Sequence, residues 1–188
     1  MRSVIVTEFV SLDGVMEAPG GDESFRHAGW TFDIETDDTM YAYKFDEANE
    51  AGALLLGRRT YDGFAAAWPE RTDEMGFADK MNSMPKFVVS RTLDNPTWTN
   101  TTVIDGDLAA EIGKLRDRFD RDILVAGSAQ LVQSLLQDGL VDELRLMVFP
   151  VVLGKGRRLF LDEAQRGDFD LAETRQTGSV AILTLRRK

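Results

Sequence analysis

Short apolar runs separated by amphipathic segments form the pattern of hydrophobic and polar positions along this chain. Runs rich in β-branched and aliphatic residues predict strands, whereas apolar residues at helical spacing, such as Tyr41, Phe45 and Ala48, predict helices. Strands that alternate with helices are typical of βαβ crossovers. The predicted strands span residues 3–10, 53–57, 86–90, 101–104, 122–126, 142–149, 168–176 and 179–186. The predicted helices span about 37–51, 59–66, 108–119 and 129–137.

The order of these segments predicts the architecture. Helices are interleaved with strands through the first two thirds of the chain, and three strands follow one another at its end. We therefore expect a three-layer α/β fold, in which a sheet lies between two layers of helices (αβα), as one domain over residues 1–188. Its sheet should be mixed and mostly parallel, with about eight strands and antiparallel C-terminal strands. Asp107 is the predicted N-cap of one helix, and Gly52 and Gly139 are predicted at helix C-termini.

Composition narrows the chemistry. The 188 residues include no cysteine and one histidine, His27, which excludes a thiol nucleophile and a two-histidine metal site and predicts no metal. A net charge of −10 argues against nucleic-acid and anionic-membrane partners, because both require basic surfaces. No apolar run approaches the roughly 20 residues of a membrane helix, and no apolar leader precedes the first strand. We predict a cytoplasmic protein.

Two candidate segments follow predicted parallel strands, where α/β sheets bind ligands. In Gly57-Arg58-Arg59, a strand ends at a glycine and a helix begins, so backbone N–H groups and two guanidinium groups could hold a phosphate. The alternative is a plain turn with solvated arginines. In Ser90-Arg91, a hydroxyl and an arginine suit a ribose 2′-phosphate, and a surface arginine after a strand is the alternative.

A third segment leads from a strand through small residues into a helix. Its glycine allows a ligand to approach the backbone closely, and the helix start suits a pyrophosphate. A tight strand-to-helix connection is the alternative. The residues concerned are Gly127, Ser128, Ala129, Gln130 and Leu131. Further along, the cationic turn at residues 154–158 could meet a substrate phosphate or be the solvated tip of a hairpin.

In this order and spacing, the segments resemble the dihydrofolate reductase superfamily. Within it, the chain is similar to a stand-alone form of the reductase (C-terminal) domain of the bacterial deaminase-reductase of riboflavin synthesis. Ser11-Leu12-Asp13-Gly14 resembles the start of the mobile loop that covers the nicotinamide, and Gly57-Arg58-Arg59-Thr60 resembles a Gly-Arg-x-Thr turn. The resemblance covers essentially the whole chain. It implies a dihydrofolate reductase-like fold and NADPH as cofactor, with Gly14 and Thr60 in the cofactor site.

The resemblance also implies hydride transfer to a C=N or C=O bond of a small heterocyclic or sugar-derived substrate. Such a reaction needs a proton donor, and the candidates are Glu8, Asp13 and Asp33. Glu8 lies within an apolar strand, where it needs a partner or a raised pKa unless it faces solvent at an edge. The pathway reductases carry a glutamate where this chain has Ala126, and that glutamate helps to bind their substrate.

Three functional hypotheses follow. The first is a reductase of this kind, either on its own substrate or on the riboflavin-pathway substrate of 5-amino-6-(5-phosphoribosylamino)uracil reductase. The second is a non-catalytic module that binds a nucleotide or an antifolate on the same fold. The third is a structural protein that binds no nucleotide. We expect a small-molecule substrate as the partner and a homodimer as the assembly, because the strand-rich C-terminal end could pair with a second copy.

Overall fold

The fold is described by a computed structural model covering residues 2–21 and 24–188. Within these residues, eight strands and five helices form. The strands are β1 (Val4–Ser11), β2 (Ala53–Gly57), β3 (Lys86–Val89), β4 (Thr101–Ile104), β5 (Ile123–Val125), β6 (Glu143–Phe149), β7 (Phe169–Thr177) and β8 (Val180–Arg187). The helices are α1 (Asp38–Glu50), α2 (Arg58–Ala67), α3 (Phe77–Ser83), α4 (Leu108–Arg118) and α5 (Ala129–Gln137).

The strands form one mixed sheet in the order β4-β3-β2-β5-β1-β6-β8-β7. Strands β1 to β6 run parallel to one another, whereas β8 is antiparallel to both β6 and β7. The predicted fold class is confirmed. The carboxyl ends of β3, β2, β5 and β1 consequently lie side by side at one edge of the sheet, each followed by one of the candidate segments.

Helices cover both faces of the sheet, because the buried parallel strands are apolar on both sides. On one face, Val4 and Val6 of β1 belong to the same core as Leu115 of α4 and Leu135 of α5. On the other face, a second core joins β2 and β3 to α1, α2 and α3. A third apolar cluster, around Trp30 and Phe149, packs the loop before α1 against β6 and β8.

The helix ends test the local predictions. Asp107 caps α4, since its carboxylate accepts from the N–H of Ala110 at 2.9 Å. Gly139 follows α5 with a φ of 68° and donates to the carbonyl of Leu136, as predicted. The prediction for Gly52 is wrong, because α1 ends at an extended Ala51 and Gly52 is not left-handed. A β-carbon at Gly52 would lie 3.1 Å from that of Arg121, so close packing accounts for this glycine.

Helix α3 is absent from the prediction. It is only seven residues long and begins after Gly76, whose φ of 79° is a turn conformation. The carboxylate of Asp73 caps it by accepting from the N–H groups of Phe77 and Ala78. A single short turn carries too little periodicity to be recognised from sequence. Across residues 2–21 and 24–188, none of the helices has the length and apolar character needed to cross a membrane.

Candidate active site

The turn after β2 and the turn after β5 are packed directly against each other. The N–H of Gly57 donates to the carbonyl of Gly127 at 3.0 Å. A β-carbon at Gly57 would lie 2.1 Å from the Ser128 hydroxyl oxygen, and one at Gly127 would lie 2.6 Å from that of Thr60. Gly127 also has a φ of +77°, a conformation that L side chains rarely adopt. The two turns therefore form one close-packed surface, on which neither glycine has room for a side chain.

Two helices begin at this surface without a side-chain cap. Within residues 2–21 and 24–188, the N-cap residues Gly57 of α2 and Ser128 of α5 make no side-chain cap hydrogen bond, and neither helix has an acidic residue in its first turn. The other three described helices are capped by Asp37, Asp73 and Asp107. Unpaired N–H groups and the positive end of the helix dipole favour an anion. The edge at β2 and β5 thus offers two adjacent helix starts for a phosphate-bearing ligand.

The two arginines that begin α2 extend in different directions. The Arg58 guanidinium donates to both carboxylate oxygens of Asp62 at 2.8 and 2.9 Å, and reaches the Thr92 hydroxyl beyond β3 at 3.4 Å. Arg59 instead contacts the long loop, donating to the Ser24 hydroxyl at 3.2 Å. Arg58 therefore connects the β2 turn to the β3 turn, and Arg59 connects it to the loop after β1.

The segment after β3 is a tight hydroxyl-centred turn. Ser90 is buried, and its hydroxyl oxygen accepts from the N–H groups of Thr92 and Leu93, both at 3.2 Å. Arg91 is exposed and makes no hydrogen bond or ion pair with the residues that the structure describes. The sheet order thus brings Ser90 and Arg91 to the same edge as the Gly57 and Gly127 turns.

The residues that begin α5 differ in accessibility. Gln130 is exposed, and Ala129 is nearly covered. Leu131 is buried in the core that α4 and α5 share with the sheet, so only its backbone can meet a ligand. A cavity of about 450 Å³ lies beside this helix start, lined by Ala129, Gln130, Gln133 and the segment from Gly156 to Asp162. The 154–158 turn is therefore not a hairpin tip, since β6 pairs with β8 and the turn packs beside α5.

Glu8 lies where β1 extends past the end of β5. The ladder between these strands ends at Val6 and Val125, whereas β1 continues along β6 to Ser11. Glu8 is 9% exposed, and its Oε1 atom has no hydrogen-bond partner among the described residues. The solvent-facing alternative for Glu8 is therefore wrong, because β1 is an interior strand.

Burial raises the pKa of Glu8 to about 8. The positive charge of Lys44 and the backbone N–H of Gly127 act in the opposite direction, and the negative charge of Glu47 adds to the rise. Near neutral pH, Glu8 is accordingly a mostly neutral carboxylic acid beside the Gly127 turn. A neutral acid in that position can donate a proton.

A buried polar cluster between α1 and β1 was missing from the sequence predictions. Lys44 of α1 donates to Thr7 and, at 2.6 Å, to the Glu47 carboxylate, and Thr7 donates to Glu47 at 2.9 Å. Arg145 of β6 lies 3.7 Å from the other oxygen of Glu47. No local pattern marks this cluster, because its members belong to α1, β1 and β6, which only the tertiary structure brings together.

The other two candidate acids have different surroundings. The carboxylate of Asp13 accepts from Ser11, from the N–H of Leu153 and from that of Gly154, at 2.7, 3.1 and 2.8 Å. These bonds, that from Ser11 foremost, lower the pKa of Asp13 to about 2, which argues for a loop anchor rather than a proton donor. Gly14 adopts a φ of 79° in the same turn. Asp33 is exposed in the loop before α1 and makes no hydrogen bond within the described residues.

Fold and edge together define a dihydrofolate reductase-like α/β fold with two closely packed glycine turns at the carboxyl edge of its parallel strands. The family model described as the RibD C-terminal domain matches residues 2–183, and the chain belongs to that family.

Known proteins similar to the chain include YyaP of Bacillus subtilis (strain 168). It is 32% identical over 184 residues, which cover 96% of this chain and 92% of YyaP. Among solved structures, a putative riboflavin biosynthesis protein from Shewanella sp. PV-4 has a TM-score of 0.77 at 22% identity, covering 100% of this chain and 99% of that one. A diaminohydroxyphosphoribosylaminopyrimidine deaminase/5-amino-6-(5-phosphoribosylamino)uracil reductase from Thermotoga maritima has a TM-score of 0.67 at 16% identity. The chain spans 57% of that protein.

Proposed function

We propose that this protein is an NADPH-dependent reductase that transfers a hydride to a C=N or C=O bond of a small heterocyclic or sugar-derived substrate. One observation carries the proposal: two glycine turns, at Gly57 and Gly127, pack together at the starts of two uncapped helices. A dinucleotide carries a pyrophosphate that must approach backbone N–H groups closely, and the two glycines let the turns pack so that both helix starts lie side by side. The residues present fit such a group.

Each candidate segment has a role in this proposal. The starts of α2 and α5 bind the pyrophosphate, and Arg58 and Arg59 add positive charge. Ser90 and Arg91 bind the ribose 2′-phosphate, which distinguishes NADPH from NADH. A bound NADPH supplies the hydride. The loop after β1, anchored through Asp13, excludes water from the reacting groups.

Glu8 is the proton donor in this mechanism. Of the three candidate acids, it alone combines burial, a raised pKa and contact with the Gly127 turn. Its neutral carboxyl group gives a proton to the substrate nitrogen or oxygen as the C=N or C=O bond is reduced, and the resulting carboxylate regains a proton from solvent. Asp13 holds the loop, and Asp33 stays a candidate that lacks a contact to this edge.

The substrate class rests on the family. The Thermotoga maritima relative bears the name of a 5-amino-6-(5-phosphoribosylamino)uracil reductase, which makes a similar substrate the first to test. Ala126, directly after β5, is a small apolar residue. The acidic group beside the Gly127 turn is instead the carboxyl group of Glu8, on the neighbouring strand β1. Rescue of a riboflavin-requiring strain by this chain would identify the pathway substrate. If the strain is not rescued but the protein reduces other carbonyl or imine compounds, its substrate is a different one.

The first experiment is a titration of the purified protein with NADPH and with NADH. Energy transfer from the buried Trp30, Trp68 and Trp98 to the reduced nicotinamide reports binding. We expect saturable binding that is tighter for NADPH. Absence of binding to either nucleotide contradicts the proposal and leaves a structural role on the same fold.

Turnover of a panel of carbonyl and imine substrates separates the reductase from a non-catalytic binding module. Glu8→Gln is expected to keep NADPH affinity and to lower turnover by roughly a hundredfold or more, because it removes only the proton. Glu163→Gln, an exposed site, is the matched control. NADPH binding without turnover on any substrate would favour the nucleotide- or antifolate-binding module.

The assembly and location complete the proposal. We expect a homodimer in the cytoplasm, built from a single domain over residues 1–188. Strand β7 ends the sheet with one unpaired edge, which offers a surface for a second copy. Sedimentation velocity of the purified protein tests the dimer, and a monomer at all concentrations contradicts it.

A further inference from the structure

Glu17 places a carboxylate between two arginines that belong to opposite sides of the site. Its Oε1 atom lies 3.8 Å from Nη1 of Arg59, at the start of α2, and 3.7 Å from Nε of Arg157, in the segment after β6. Strands β5 and β1 lie between β2 and β6 in the sheet. The Arg59–Glu17–Arg157 bridge therefore connects the two flanks of the edge at which α5 begins.

Several bonds hold Glu17 in this position. Its Oε2 atom accepts from the backbone N–H of Arg157 at 2.9 Å, and its carbonyl accepts from the indole of Trp30 at 2.8 Å. The adjacent N–H of Met16 donates to the carbonyl of Arg157 at 2.9 Å. Trp30 is itself buried against Phe149. The fold thus fixes the backbone of Glu17, whereas a single backbone N–H, that of Arg157, holds its carboxylate beside the arginines.

The two guanidinium contacts are looser than those a phosphate would make. Charge-assisted N–H···O bonds are typically about 2.7–2.9 Å long, whereas Glu17 stands 3.7 and 3.8 Å from the two guanidinium nitrogens. A phosphate is larger than a single carboxylate oxygen and offers acceptor oxygens in several directions. It can therefore reach both arginines where one carboxylate oxygen cannot bond to either.

Space for the rest of a ligand adjoins this position. Arg157 lines the cavity of about 450 Å³ beside the start of α5, together with Gln130 and Gln133. The side chains of Arg157 and Arg59 are 50% and 43% exposed, so a ligand can reach both guanidinium groups. The cavity also has apolar walls, at Phe160 and Leu161. A phosphate between the arginines could thus belong to a molecule of mixed polarity.

We propose that the position of the Glu17 carboxylate, between Arg59 and Arg157, is a binding site for a ligand phosphate group, and that Glu17 is displaced when the phosphate binds. Glu17 is then a built-in competitor that neutralises the arginines until a phosphate arrives. The proposal rests on the proposed function only for the source of the phosphate, which is either the pyrophosphate of the dinucleotide or a phosphate of the substrate.

Calorimetric titration with inorganic pyrophosphate tests the site directly. Glu17→Gln is expected to bind pyrophosphate several-fold more tightly than the unmodified protein, because it removes the competing charge and keeps the side chain's size. Arg157→Gln is expected to weaken binding by roughly tenfold, as the loss of one charge-assisted contact implies. Lys155→Gln is the matched control, because Lys155 is exposed two residues away and makes no ion pair within the described residues.

Two results overturn the proposal. The first is that Glu17→Gln binds pyrophosphate no more tightly than the unmodified protein. The second is that Arg157→Gln and Lys155→Gln weaken pyrophosphate binding equally. The weaker binding would then reflect the loss of any nearby positive charge and not the loss of a specific contact with Arg157. A measurement on the unmodified sequence avoids any folding defect of the variants: with 5-fluorotryptophan, the ¹⁹F signal of Trp30 should shift on addition of pyrophosphate.

The source of the phosphate is resolved by competition. If pyrophosphate and NADPH compete, and Glu17→Gln binds NADPH more tightly, the site belongs to the cofactor. If protein saturated with NADPH still binds ribose 5-phosphate, and Arg157→Gln abolishes that binding, the site belongs to the substrate. If the protein binds NADPH normally but neither Glu17→Gln nor Arg157→Gln changes pyrophosphate affinity, this proposal is refuted and the proposed function stays intact. A protein that binds pyrophosphate as expected but no dinucleotide refutes the proposed function instead.

Discussion

Gly127 faces Thr60 so closely that a β-carbon on the glycine would come to 2.6 Å from the threonine hydroxyl oxygen. The two residues are far apart in the chain, yet each belongs to a turn that begins a helix at the same edge of the sheet. The contact explains why the turn after β5 requires a glycine with a φ of +77°, and why the turn after β2 places Thr60 beside it. The geometry of the proposed anion site depends on this packing.

Gly127→Ala should damage both stability and binding. The left-handed backbone costs about 1 kcal/mol or more, and the clash with Thr60 adds to it. We expect NADPH affinity to fall by at least roughly tenfold, because the first N–H groups of α5 move. Gly76→Ala is the matched control: its φ is +79° with open space around it, so it should lose only the backbone contribution and bind normally. Equal binding by both variants would contradict this account of the turn.

Glu8 should make the stability of the protein depend on pH. Its pKa is about 8 when folded and about 4.3 when unfolded, so between these values the folded state binds more protons. The stabilising contribution is therefore complete below about pH 4.3 and is lost as the pH rises through about 8. One pKa unit corresponds to about 1.4 kcal/mol, so the total is of the order of a few kcal/mol.

Urea unfolding of Glu8→Gln and of the unmodified protein between pH 5 and 9 measures this effect. The unfolding free energy of the variant should lack the decline with rising pH that Glu8 causes, so the difference between the two proteins should change steadily across the range. Glu163→Gln, in the exposed segment before β7, should follow the unmodified protein. Parallel curves for Glu8→Gln and the unmodified protein would show that Glu8 titrates normally.

Gln130→Glu should separate stability from function. A carboxylate in the first turn of α5 interacts favourably with the helix dipole, by about 0.3–1 kcal/mol, because that turn has no acidic residue now. The same charge opposes a phosphate, so NADPH affinity should fall although thermal stability rises slightly. Gln137→Glu, at the other end of α5, is the matched control and should be slightly destabilising without changing binding. Unchanged NADPH affinity in Gln130→Glu would indicate that the anion binds elsewhere.

Arg91→Ala tests the choice between the two nicotinamide cofactors. Arg91 is exposed after β3 and has no partner within the described residues, so its removal should leave the fold intact. We expect NADPH affinity to drop by roughly tenfold and NADH affinity to stay the same, as measured by tryptophan energy transfer. Arg166→Ala, whose side chain is 86% exposed and paired with Asp168, should change neither. If Arg91→Ala lowers the affinity for NADPH and NADH equally, or changes neither affinity, the assignment of Arg91 to the 2′-phosphate is wrong.

Local patterns predicted most of the elements of this fold. Apolar runs located all eight strands to within about a residue at each end, and the capping role of Asp107 and the turn at Gly139 follow from side-chain and backbone chemistry within a few residues. Local patterns failed where structure depends on a distant partner. Gly52 is such a case, because it is required by close packing against Arg121.

The sequence alone therefore determined the fold class and the placement of the three turn segments at the ends of parallel strands, since both follow from periodicities of two to four residues. The tertiary structure alone decided which side chains meet. Glu8 is buried and mostly neutral because β1 is an interior strand, and Glu17 meets Arg59 and Arg157 because strand order brings β2 and β6 to either side of it. A local pattern carries no information about desolvation or about contacts across the sheet, and the chemistry of the site depends on both.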